Sequence, residues 1–145
     1  MQYHVSSVKH EPERGNYGDC LRASFACILN KPRVEDVPHF YHDGCSAEVG
    51  TQRIEEYLKS ENLGLLMLHF PGDLQIEHVT GALGLQNPDL LYLLFGRNKY
   101  DEQHVVIYKG IEKIHDVAWY QSSMRPGKNG LWTIATIVPA VVIDR

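Results

Sequence analysis

The chain has 145 residues, 43% of them hydrophobic and 22% charged, with a formal net charge of −4. That length can bury roughly two-thirds of the surface its unfolded chain exposes, so residues 1–145 are read as a single domain with its own core. The weakly acidic balance excludes the basic footprint of a nucleic-acid binder or an anionic-membrane binder, and no apolar run approaches the ~20 residues of a membrane span.

The start, "MQYHVSSVKHEPERG", lacks the basic-then-apolar pattern of an export leader, and the expected compartment is the cytoplasm. Cys20, Cys27 and Cys45 are an odd number of cysteines, expected as reduced thiols rather than as a disulfide framework.

The spacing of Leu21, Phe25, Ile28 and Leu29 predicts a helix over 20–30, with Asp19 as N-cap and Asn30 as stop before Lys31-Pro32. A short turn is expected over 33–37, ended by Pro38. A second helix is predicted from about Ala47 to Glu61, capped by Ser46, with Ile54 and Leu58 inward. "LGLLMLHF" has the look of a buried strand, and "DLQIEHVTGALG" of a short helix. Four strand-like segments follow: "LLYLLFG", "HVVIYKG", "KIHDVAWYQ" and "LWTIATIVPAVVI". Helices first and strands later predict an α+β fold with a mostly antiparallel sheet.

Within "HVVIYKGIEKIHD", a hairpin centred on Gly110 would set His104 opposite Asp116, each six residues from the turn. Directly opposed Cβ atoms lie ~4.5–5.5 Å apart. A carboxylate there fixes the imidazole tautomer and stabilises its cation. A slip of one residue would send one partner to the other face. His115, on the opposite face from Asp116, is the lesser candidate. Cys20, in the first turn of its helix, would feel the positive end of the helix dipole, and a nearby imidazolium would favour the thiolate further. Its backbone N–H could donate to an oxyanion, and Asn16 is the candidate second donor. Asp19 places a carboxylate beside the sulfur, an objection that a capping role, with the side chain turned to later N–H groups, partly answers.

The order cysteine on an early helix, histidine on a later strand and acid on the next resembles the papain-like cysteine peptidase superfamily, which includes transglutaminase-like and arylamine acyltransferase members. "GDCLRASFACILN", "VEDVPHF", "HVVIYKG" and "IHD" are similar to a narrower group of small phage and prophage proteins. The resemblance spans about residues 15–120. It implies Cys20 as nucleophile, His104 as base and acid, and Asp116 as orienter, with no cofactor. The substrate it implies is a peptide, isopeptide or other amide, such as one in a host or phage protein. Where the group has His-Asp-Pro, this chain has His115-Asp116-Val117, and Arg14 stands where the superfamily's oxyanion glutamine usually lies.

Other readings stay open. The scaffold could be a non-catalytic module that sequesters a host factor, or the acceptor could be an amine, as in acyltransferases. Peptidoglycan amide hydrolysis would require an export route. Cys27 is expected in the core. His39 is expected to shape a loop or the cleft, and Trp119 and Tyr120 either to wall the cleft or to pack in the core or at a sheet edge. In "HFYHDGC", His39, His42 and Cys45 have metal-like loop spacing but no obvious fourth ligand, so no metal is expected. Arg97 and Lys99 are expected as solvated charges in a turn.

Overall fold

The computed structural model describes residues 1–118 and 123–140. Within them the fold is α+β: three α-helices pack on a five-stranded antiparallel sheet of order β1-β5-β2-β3-β4. The elements are α1 (Cys20–Ile28), α2 (Ala47–Ser60), β1 (Leu63–Pro71), α3 (Ile76–Gly84), β2 (Leu91–Arg97), β3 (Gln103–Lys109), β4 (Glu112–His115) and β5 (Leu131–Pro139). The Ser46 hydroxyl caps α2 by accepting from the Val49 N–H at 3.2 Å. Asn30 and Asn62 close α1 and α2 with positive φ of 58° and 60°, a conformation asparagine tolerates better than most residues.

The long apolar runs have a simple cause: the inner strands are covered on both faces. Leu93, Val105, Ile107 and Ala135 face Ala23, Phe25, Ile54 and Leu58 of α1 and α2. On the reverse face Tyr92, Leu94, Val106, Trp132 and Ile134 surround Val79 of α3. β1 differs from the expected buried strand. It lies at the sheet edge beside β5, with Leu66 and Met67 49% and 39% exposed. In α1 the best-buried positions are Ala23 to Cys27, with Leu21, Ile28 and Leu29 only half-buried. The helix is covered from behind as well, by the 34–40 loop and by the N-terminal segment, whose His4 N–H points at the Cys27 sulfur at 3.2 Å.

The β3–β4 hairpin also differs from expectation. Its turn is the pair Gly110-Ile111, between Lys109 and its partner Glu112, and a bulge inserts Ile114 before Ile107 meets His115. Compared with a hairpin centred on Gly110, the turn shifts the register by one residue and the bulge by a second. Side chains alternate with period two, so two single shifts return Asp116 to the side on which His104 lies. β4 ends at His115, leaving Asp116 just beyond the strand rather than in it. The predicted strand ends at 119–121 and 141–143, and Trp119 and Tyr120 as cleft walls, lie outside the described residues.

Candidate active site

Cys20 opens α1 and is half-buried, its side chain at the margin of the core. α1 packs against β3, which carries His104 opposite Gly96 of β2. The His104 ring is buried, and its Nε2 lies 2.8 Å from Oδ1 of Asp116, whose side chain is wholly enclosed. The same oxygen accepts from the Ala118 N–H at 2.9 Å, a local Asx-type turn that fixes the carboxylate. The Cys20 sulfur lies near enough to the His104 ring to act on it electrostatically.

Burial works against a charged His104 ring, but Asp116 and Cys20 outweigh it and push the pKa from 6.5 up to about 9. The charged form of the ring is thereby favoured at neutral pH, with Nε2 directed at the Asp116 carboxylate. Sequence reasoning named all three residues. The structure brings them together, although by a bulged hairpin and not by the register expected.

The remaining expected residues are placed differently. Asp19 occupies the N-cap position, yet its side chain makes no cap hydrogen bond. It is 1% exposed, and it turns back to the N-terminal segment. There it accepts from the Ser7 N–H at 3.0 Å, the Ser7 hydroxyl at 2.7 Å and the Val8 N–H at 3.1 Å. The expected capping role is therefore corrected: three donors from residues 7 and 8 satisfy the carboxylate better than the helix could. Enclosed in this way, Asp19 has no open face to offer a substrate. Asn16 is exposed, and its backbone pairs with Glu11 across the 3-10 turn Pro12–Arg14. Arg14 points outward to Glu11 at 3.4 Å.

His39 is half-buried and its Nε2 donates to the Tyr17 carbonyl at 2.8 Å. From the other side, Nδ1 of His10 accepts from the Gly18 N–H at 3.1 Å. Two histidines thus grip the loop that delivers Cys20. In Val37-Pro38-His39-Phe40, Val37 and Phe40 are core residues, and the Arg22 side chain holds the Val37 carbonyl at 2.5 Å. This run ties the loop to α1 through packing as much as through His39.

His42 and Cys45 do not converge with His39 as ligands; among the described residues no three His, Cys, Asp or Glu side chains gather as a metal would require. Arg53 organises that loop instead. It donates to Asp43 through both terminal nitrogens (2.9 and 3.0 Å), to the Phe40 carbonyl (2.8 Å) and to the Cys45 sulfur (3.3 Å). This pairing holds the Asp43 carboxyl well below the usual carboxylate range. His115 faces away from the pair, donating to the His4 carbonyl at 2.6 Å with Tyr3 edge-on to its ring. Arg97 is not a free turn charge: it donates to the Pro126 carbonyl at 2.6 Å and to Asp101 at 2.6 Å. Two concavities of about 350 Å³ each, meeting around Asp89 and Lys109, are lined by none of the three site residues.

Sequence reasoning missed Ser6, Ser7 and His10. Each has a signal only in hindsight: a small polar pair and a lone histidine within a segment of no regular structure, whose partners are set entirely by tertiary contact. Comparison with family models, curated proteins and solved structures found no match to this chain. The assignment of function therefore rests on the site's own chemistry.

Proposed function

We propose that this protein is a cysteine-dependent amide hydrolase with a papain-like arrangement, Cys20 acting as nucleophile, His104 as proton carrier and Asp116 as orienter. The observation that carries the reading is the His104 ring held between a fully enclosed Asp116 carboxylate and the Cys20 sulfur at the first turn of α1. A structural histidine needs one partner; this one has an acid on Nε2 and a half-buried thiol near the ring.

The chemistry follows from those positions. The Cys20 thiolate attacks the carbonyl carbon of a peptide, isopeptide or other amide, forming a C–S bond while the carbonyl π pair moves to oxygen. The N–H groups of the first turn of α1 have no intrahelical partner, and Asp19 does not cap them. They are the donors for that oxyanion, in place of an Asn16 side chain. Collapse breaks the C–N bond, and the amine leaves with the proton of the His104 imidazolium. Water then attacks the thioester, His104 takes its proton, and breaking the C–S bond returns the thiolate and releases the acid. Asp116 holds the ring and offsets its charge without itself being protonated. An amine in place of water would give acyl transfer on the same groups.

The test is alkylation by iodoacetamide at pH 6, followed residue by residue by mass spectrometry. The expected result is a Cys20 rate at least ten times that of the His104→Ala variant. Equal Cys20 rates in the two proteins would refute an activated nucleophile and favour a non-catalytic binding module on this scaffold.

A further inference from the structure

The N-terminal segment makes an arrangement that the proposed reaction does not use. Ser6 and Ser7 are consecutive, yet they hold the neighbours of two different site residues. The Ser6 N–H donates to the carbonyl of Val117, which follows Asp116, at 2.8 Å. Ser7 donates through N–H and hydroxyl to the carboxylate of Asp19, which precedes Cys20, and the Val8 N–H adds a third donor group. Two residues before Ser6, His4 is fastened at three points. Its N–H meets the Cys27 sulfur, its ring the Lys31 carbonyl at 2.7 Å, and its own carbonyl accepts from His115 at 2.6 Å.

We propose that Asp19 is a positioning residue for Cys20, acting through a strap formed by residues 6–8 that joins the start of α1 to the chain carrying Asp116. The inference rests on the cysteine-hydrolase reading of the site. Its physical content is twofold. First, the strap sets the separation of nucleophile and acid, which no hydrogen-bonded strand ladder spans: β4 ends at His115, before Asp116, and α1 reaches the sheet through side-chain packing. Second, it removes a negative charge from where it would do most harm. A carboxylate next to the sulfur would repel a thiolate, and as a helix cap it would occupy the N–H groups that an oxyanion needs. With the three donor groups of Ser7 and Val8 around it, the charge is satisfied on the far side and the helix end stays open.

The fall in reactivity is expected from Asp19→Asn, which keeps the shape but presents an NH2 group to a nest of donors, and, more weakly, from Ser7→Ala, which removes only the hydroxyl. The measurement is the rate of Cys20 alkylation by iodoacetamide between pH 5 and 9.5, in which the S–C bond forms as iodide leaves. The full chain is used, with folding checked by circular dichroism. Wild type should alkylate Cys20 at pH 6 about tenfold faster than the urea-unfolded chain does. In Asp19→Asn the rate at pH 6 should fall about tenfold and rise with pH as for an ordinary thiol. Tyr92→Phe, which weakens the opposite face of the sheet, is the control for lost stability, and its alkylation profile should match wild type. A folded Asp19→Asn protein with the wild-type profile would overturn the inference while leaving the hydrolase reading intact. So would a Tyr92→Phe profile altered in the same way as that of Asp19→Asn. An ordinary-thiol profile in wild type would overturn the hydrolase reading and this inference with it.

Discussion

Replacing Asp116 by Asn tests the site most directly, because size is kept while the charge and one acceptor oxygen are lost. In the wild type, raising the His104 pKa from 6.5 to about 9 corresponds to about 3 kcal/mol at ~1.4 kcal/mol per pKa unit. A histidine whose pKa is raised on folding stabilises the native state fully below pH 6.5, and that contribution is lost as pH climbs through 9. In Asp116→Asn the burial of the ring remains while its carboxylate is gone and only Cys20 is left to favour the cation, so the pKa should fall. The stability gap between wild type and variant should then be widest near pH 6, on the order of 3 kcal/mol, and should narrow by pH 9.5. Urea denaturation at the two pH values measures the gap, and ring-nitrogen chemical shifts of His104 follow the titration itself. A gap that does not change with pH, or that widens towards pH 9.5, would refute the assignment of the imidazolium to this pair. So would a wild-type ring that titrates at 6.5.

Three further outcomes are expected. Gly84 ends α3 against the Gly110 carbonyl, so that an added Cβ would collide with backbone; Gly84→Ala should cost about 2 kcal/mol and lower the melting temperature by roughly 5–10 °C. The buried Tyr92 hydroxyl donates to the Gly110 carbonyl at 2.6 Å, and Tyr92→Phe should cost about 1–2 kcal/mol in denaturant titrations without altering thiol chemistry. Burial pushes the Cys27 thiol pKa up, so Cys27 should resist iodoacetamide in the native protein and react only once it is unfolded; comparable native labelling of Cys27 and Cys20 would contradict the packing described.

The elements could be read from the sequence because each depends on short-range pattern. The Ser46 cap, the asparagines ending α1 and α2, and the Gly-bounded apolar runs act within a few residues, and their outcome does not depend on the rest of the chain. Cys20, His104 and Asp116 could be singled out for a similar reason: a helix start is a local feature, and hairpin partners are set by counting. The count was inexact. It placed Asp116 in a strand opposite His104, whereas a two-residue turn and the Ile114 bulge carry it past the end of β4. The pairing survived because side-chain alternation makes two single-residue errors cancel.

Long-range burial is what the pattern could not express. The run "LGLLMLHF" looks as apolar as β2 or β5, yet β1 lies at the edge, because strand order follows from which chains meet and not from composition. Asp19 is the sharper case. Beside a helix start its residue type specifies a cap, but capping competes with any better set of donors, and Ser7 and Val8 supply one. By itself, then, the sequence determined an α+β chain with a thiol at a helix end and a histidine–carboxylate pair in a hairpin. The tertiary structure alone decided that the three meet, that the acid beside the sulfur turns away from it, and that the first eight residues join the two halves of the site. Those contacts are between groups far apart in the chain, and their geometry exists only once the core has closed.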